Sequence, residues 1–372
     1  MEKQVIGTRQ FAILVLFFII GDMLWFLPSF MVEAVEQDAW ISALIGVPVG
    51  MLAAWFLFHF ANQFPNMSLV EINWTVLGKW LGSALTIIYL LSFFTVSVVQ
   101  IRQVSDFITS QMMTETPLRA INMLMTIIVM IGVWSGLQTF ARTGEIFIML
   151  FAFMFLLLII LLMPQIKVDN ILPMMRHSFS SFAQGVVYFV SYSFLEMYVF
   201  LMIFPYVKRS SHLFRDYMLS ALLGGVAIFL IVTTSLLVLG PFLSRFHLFA
   251  TYILAKKISI GGFLDRLEAI LVVNFILSTY FKATLFAYGF VMGITRLLKL
   301  KDYRILIVPV GFMIFGYSYI VYPNLVVLNN VTPAWSLWDM THNPIILLLI
   351  YIIHKLRSTN RNRHKSESSE EA

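Results

Sequence analysis

Apolar residues arrive in blocks of about twenty, separated by short polar stretches that hold most of the charge. Helices of that length cross a hydrocarbon core of about 30 Å. The pattern predicts ten such spans, at about 10–32, 39–61, 82–111, 118–138, 143–163, 184–206, 213–240, 266–295, 304–322 and 342–356. Asn66 to Trp80, after Pro65, and Met174 to Phe182 read as amphipathic pieces lying along the surface. A short helix is expected at Leu248–Lys257, in the loop after Gly240-Pro241. Arg357 to Ala372 is a polar tail expected to be disordered. A membrane barrel would show short alternating segments instead. The fold class is therefore an all-α polytopic membrane protein, with one transmembrane domain over 1–356 and a tail over 357–372.

Two of the spans carry an interruption. In the first, Ile20-Gly21-Asp22-Met23-Leu24-Trp25-Phe26-Leu27-Pro28 places a glycine and a carboxylate near the middle and a proline two turns on. Glycine loosens the backbone and proline removes a donor, so amides and carbonyls are freed at mid-membrane depth. Such backbone persists only where protein or a watery cavity covers it. The sixth span has Ser191-Tyr192-Ser193-Phe194-Leu195-Glu196 at its centre and Pro205 beyond, without a central glycine or proline. Ten spans divide into repeats of about 9–164 and 184–356, each opening on its interrupted member. That is the architecture of the leucine-transporter-like 5+5 inverted repeat, whose substrate site lies where helices 1 and 6 are broken.

Charge sets the expected orientation. Of the 25 lysines and arginines, sixteen fall on the side of the N-terminus, seven on the other, and Arg102 and Lys282 inside spans. The excess of cations marks the cytoplasmic side, so both termini are expected there. The net charge of +6 thus follows topology and indicates no nucleic acid partner. Composition agrees with a membrane chain: 60% hydrophobic, 12% charged, with a mean hydropathy of +0.87. The chain has no cysteine, so disulfides and thiolate chemistry are excluded. No cleavable leader is expected, because the first apolar run lacks a small-residue cleavage site.

Charges inside a membrane are costly, which makes each one a site candidate. Asp22 lies midway along span one, Glu196 at the centre of span six and Lys282 at the centre of span eight. Asn274, Ser278 and Lys282 repeat at i, i+4, i+8 and form one helical face. Lys282 is expected to supply a fixed cation near the break in span one, neutralising Asp22 or Glu196 where related transporters bind sodium. The bland alternative is a buried ion pair that sets helix register. Span three offers Tyr89 and Ser97 toward the cavity, while Arg102 and Asp106 read as a structural or gating pair. The candidate binding set is Gly21, Asp22, Met23, Leu24, Trp25, Tyr89, Ser97, Ser191, Tyr192, Ser193, Phe194, Glu196, Asn274, Ser278 and Lys282. The histidines stand at span ends or in loops, so no metal and no cofactor are expected. There is no phosphate loop, no GxSxG and no soluble region for an ATPase, so the chain does not read as an enzyme.

Several motifs together resemble the endospore germination permeases, the B subunits of nutrient germinant receptors. They are Thr8-Arg9-Gln10-Phe11, the Gly21 to Pro28 break, and Gln37-Asp38-Ala39-Trp40-Ile41-Ser42-Ala43-Leu44-Ile45-Gly46. Phe64-Pro65, Ser68-Leu69-Val70-Glu71, Leu77-Gly78-Lys79-Trp80-Leu81-Gly82, Glu115-Thr116-Pro117 and Phe281-Lys282-Ala283 add to the likeness, which covers most of the chain. The block after span one is its most specific part. The resemblance implies an amino acid–polyamine–organocation permease fold in the spore inner membrane. It also implies a small germinant, often an amino acid, and partner A and C subunits that carry the signal. Transferred onto this sequence, the site lies along Gly21–Leu24 and Ser191–Glu196, with spans three and eight as walls. Asp22 departs from the family pattern, in which a small neutral residue is more usual. The readings from other classes are a proton-coupled amino-acid transporter, and a passive channel or scaffold.

Overall fold

The computed structural model describes residues 5–175, 177–257 and 267–357. The tail beyond 357 lies outside the described residues, as do Lys3, Arg176, Arg266, Arg361, Arg363 and Lys365 of the charge count. Among the described residues, eight helical stretches are long and apolar enough to cross a membrane. Two of them hold two crossings each. Thr8–Gln63 turns at Glu36, where φ reaches 45°, and Leu118–Gln165 breaks at Gly136 (φ 80°, ψ 161°). Ten crossings result, and the chain is an integral membrane protein of the expected all-α class. Its outer surface is apolar, with Leu52, Phe153 and Phe312 all well exposed, as a face in contact with lipid tails requires.

Span one is Thr8–Ile20 and Met23–Val35, and span two is Ala39–Gln63. The surface piece expected over 66–80 is the helix Leu69–Leu77. Its start is set by Ser68, whose amide donates to Glu71 Oε2 at 2.7 Å, a capping arrangement that engages a free helix-end donor. The chain breaks again at Gly78, and span three runs Lys79–Phe107. After spans four and five, α-helix resumes at Phe179, so of the amphipathic piece expected over 174–182 the described residues 174, 175, 177 and 178 are not helical; Met175 has φ 58°. Span six is Phe179–Ser193, continued by tight 3-10 turns over Leu195–Met202. Span seven is Leu213–Phe246, and the loop helix is Ala250–Lys256. Span eight is Leu267–Leu297 and span nine Ile307–Ile320.

Span ten corrects the sequence reading most. Helix begins at Leu325, not near 342, and continues through Leu325–Met340 to Arg357. Its first half holds Asn329, Asn330, Thr332, Pro333 and Asp339, a composition that resembles a loop. Thr332, Ser336, Asp339 and Asn343 are nevertheless all buried. Their spacing of four, three and four is one helical face.

The two interrupted spans occupy the middle. Both halves of span one pack on span seven, and its second half also packs on span six. Span eight lies along span three and closes the other side. At one end of this bundle, Ile6 N donates to Tyr206 O at 2.9 Å and Lys208 N to Ile6 O at 2.9 Å. Those two bonds tie the beginning of span one to the end of span six. Beside them Arg296 Nη1 meets Glu71 Oε2 at 2.6 Å, and Arg296 Nη2 donates to Tyr206 OH at 2.8 Å.

Candidate functional site

The break in span one is made by backbone geometry. Gly21 has φ 39° and ψ −134°, a region open to glycine and strained for other residues. Its amide still closes the first half-helix by donating to Phe17 O at 2.8 Å, and Trp25 N restarts the turn on Asp22 O at 3.1 Å. Gly21 O, freed by the break, accepts the Ser278 hydroxyl at 2.7 Å. A side chain on Gly21 would also collide with Lys282 Cδ. In span six the last α-type bond is Phe194 N to Val190 O, and Met197 N to Phe194 O begins the tighter pitch.

Lys282 stands between the two breaks. Its ammonium donates to Asp22 Oδ1 at 3.0 Å and to Tyr192 O at 3.0 Å, and lies 2.7 Å from Glu196 Oε2. All three charged side chains are buried. One ammonium is thus set between two carboxylates at this point. Burying charges is tolerable only with close pairing and added hydrogen bonds, and the Tyr192 carbonyl supplies one of these.

A cavity of about 250 Å³ opens against this cluster. Asp22, Met23, Tyr192 and Glu196 line it from the broken spans. Gln100 and Gln103 face it from span three, and Thr332 and Trp335 from span ten. Its remaining walls are largely apolar, with Phe30, Val96, Val99, Leu328 and Val331 among them. Gln100 is buried, and neither its amide nitrogen nor its oxygen has a protein partner; Gln103 Oε1 is also unengaged. Tyr192 is held in place by its hydroxyl, which donates to Thr332 O at 2.6 Å. A second, more polar cavity of about 300 Å³ shares Phe30 and Thr332 with the first and is lined by Glu33, Gln184 and Asn329. The Phe30 and Tyr192 rings, 6.1 Å apart, sit between the two.

The other residues of the candidate set act elsewhere. Lys282, Gly21 and Ser278 form the floor behind the cavity and do not line it. Leu24 O accepts the Thr251 hydroxyl at 2.6 Å, and Trp25 is buried among Phe107, Tyr252 and Phe275. Tyr89 OH donates to His342 O at 3.1 Å and Ser97 Oγ to Ala283 O at 3.2 Å, both away from the cavity. Ser191 Oγ donates to Ser336 O at 3.3 Å, and Ser193 is fully buried without a hydroxyl partner. Phe194 packs on Gly50, where any added side chain would overlap its ring. Asn274 Nδ2 donates to Phe151 O at 3.3 Å. Arg102 pairs with Asp106 at 3.0 Å and donates to Ser318 O and Tyr319 O, fastening span three to the end of span nine. Among the described residues no three His, Asp or Glu side chains converge as a metal set.

Gln100, Gln103, Thr332 and Trp335 line the cavity and stand outside the candidate set. Asp339, a further buried carboxylate on span ten, was missed as well. The signal that marks span ten is the four-three-four spacing of its polar residues, which hydropathy averaging conceals.

Comparison with known proteins comes down on the same side. The pattern that defines spore germination proteins matches residues 5–326. Spore germination protein KB of Bacillus subtilis (strain 168) is 27% identical over 385 aligned positions covering 100% of both chains. Spore germination protein YndE of the same organism is 21% identical over 93% of this chain and 96% of its own. In architecture the chain is similar to Mhp1, a nucleobase-cation-symport-1 family transporter solved in a closed conformation with bromovinylhydantoin bound. The TM-score is 0.71 at 11% identity, over 94% of this chain and 78% of that one. It is also similar to MhsT in complex with L-phenylalanine, with a TM-score of 0.66 at 11% identity over 94% and 98%.

Proposed function

Because this chain belongs to the spore germination protein family, we propose that it is the B subunit of a spore nutrient germinant receptor. In this reading it binds a small amino acid in the midplane cavity and passes the event to A and C subunits in the spore inner membrane, with both termini cytoplasmic. The observation that carries the reading is the cavity itself. It lies where two interrupted spans meet, and it presents unengaged polar groups and the two carboxylates that share the Lys282 ammonium on otherwise apolar walls.

An amino acid fits those features group by group. Its ammonium answers the carboxylates of Asp22 and Glu196, and its carboxylate takes amides near the Met23 end of the second half-helix, where the peptide dipole favours an anion. The amide of Gln100 can both donate and accept, and it meets whichever polar group points to span three. An apolar side chain of the ligand faces Val96, Val99 and Val331. Entry runs through the polar outer cavity and past Phe30 and Tyr192. Signalling requires the ligand to bind one arrangement of these spans better than another, since equal binding shifts nothing.

The test is germination of spores deleted for this gene and complemented with variants, scored across single amino acids, sugars and salts. Gln100→Leu and Glu196→Gln, at wild-type protein level, should weaken the response to one nutrient by about tenfold or more, as one lost charged or unmatched hydrogen bond would. Unchanged responses in both variants would remove the cavity from the reading. A second function, proton-coupled amino-acid transport, is favoured by the transporter architecture of the structural neighbours. Uptake of the same amino acid by proteoliposomes, driven by a proton gradient, separates it from sensing without transport.

A further inference from the structure

A second large cavity has no part in the midplane site. It is an apolar groove of about 340 Å³ on the outer surface, between span four and span nine. Ile127, Met130 and Trp134 form one wall, Ile307 and Phe315 the other, and Gly311 the floor. The one hydroxyl in the lining, on Thr126, is already spent on Asn122 O at 2.7 Å. From Met123 to Trp134 the groove follows span four for about 16 Å at 1.5 Å per residue. That is the depth of one leaflet, half of a hydrocarbon core of about 30 Å.

The two ends of the groove differ in charge. At the Trp134 end the chain turns between spans eight and nine, and Lys299, Lys301 and Arg304 are all exposed there. The Arg304 guanidinium lies 5.9 Å from the Trp134 ring. The turn holds a single acid, Asp302, whose carboxylate accepts the Arg304 amide at 3.0 Å, so three cations stand against one anion there. Beyond the opposite end the nearest cation is Arg119, which is occupied over the Tyr319 ring at 4.4 Å.

We propose that the groove between spans four and nine holds one acyl chain of an anionic phospholipid whose headgroup is bound by Lys299, Lys301 and Arg304. A chain-length slot with a cationic mouth and a tryptophan at the headgroup level matches such a lipid in both parts. The lipid would bridge span four to span nine, and so make their relative position depend on the composition of the membrane. The assignment does not depend on what the midplane cavity binds.

Native mass spectrometry of the full-length protein, delipidated and then offered phosphatidylglycerol or phosphatidylcholine, tests it. The expected result is one phosphatidylglycerol retained at collision energies that strip phosphatidylcholine. Lys301→Gln with Arg304→Gln should weaken phosphatidylglycerol retention by about tenfold or more, since each basic side chain near a headgroup is worth about a factor of five. Gly311→Phe, which fills the floor, should abolish it. Equal retention of the two lipids, or retention unaffected by the charge variant, would overturn the proposal, as would a stoichiometric membrane helix of another chain found in the groove. If Gly311→Phe fails to fold, the charge variant decides alone, because its substitutions are at exposed positions and leave the helices intact.

Discussion

The Ser278 hydroxyl of span eight donates to the carbonyl of Gly21 at 2.7 Å, so the broken backbone of span one is completed by a side chain from the other repeat. A freed carbonyl at this depth has no water to turn to. Ser278→Ala should therefore destabilise the protein by about 1–3 kcal/mol, the cost of leaving a buried acceptor unmet. Thermal unfolding of the purified protein checks this. A Tm equal to that of wild type would show that Gly21 O finds another donor.

Removing the central ammonium should cost more. Lys282→Met leaves Asp22 and Glu196 buried and unpaired, and breaking a buried ion pair from one side typically costs about 3–5 kcal/mol. Neutralising all three, as Asp22→Asn, Glu196→Gln and Lys282→Met together, should recover most of the loss, because the penalty belongs to the unpaired charges and not to the missing contacts. Denaturation midpoints of the single and triple variants decide. Absence of recovery would mean that the three do not act as a unit.

Gly21→Ala combines two faults, a positive φ and a collision with Lys282. Strain of this kind costs about 1–3 kcal/mol, and relief by moving Lys282 would open its contacts with Asp22 and Glu196. The expected result is a lower Tm together with loss of ligand response. Pro28→Ala, two turns away, serves as the comparison; it should change the response far less, since Pro28 lies within a continuous half-helix.

The absence of cysteine makes an introduced thiol the sole target for labelling. Thr332→Cys, on the boundary between the midplane and outer cavities, should react with a small methanethiosulfonate, and a saturating nutrient should slow the reaction severalfold. Ser97→Cys, sealed against Ala283, should stay unreactive. Absence of protection at Thr332→Cys, with the nutrient bound, would place the ligand elsewhere.

Much of this arrangement is legible in the chain because breaks and charges are expensive in a membrane and stand out. The Gly21-Asp22 pair, the Ser-Tyr-Ser-Phe-Leu-Glu stretch and Lys282 all mark the place where the two repeats meet. What sequence left open was azimuth. Trp25 and Phe194 sit beside cavity residues in the chain, but a helix turns about 100° per residue, and both rings point into packed cores. Span ten escaped for another reason. Its buried stripe is polar and its first half holds Asn329, Asn330 and Pro333, so the average hydropathy there falls toward that of a loop while the buried face remains continuous. A search for polar residues at four-three-four spacing would have found Thr332, Ser336, Asp339 and Asn343.

The two backbone bonds that join Ile6 to Tyr206 and Lys208 give the halves of the bundle a common hinge pin. The first half of span one is a rod of 13 residues, or about 20 Å, with that pin at one end and the Gly21 joint at the other. Any ligand that turns the joint swings the pin, and the pin cannot move without dragging the end of span six with it. The start of span one and the end of span six are thus one mechanical piece at the surface of the bundle, although almost two hundred residues of chain separate them.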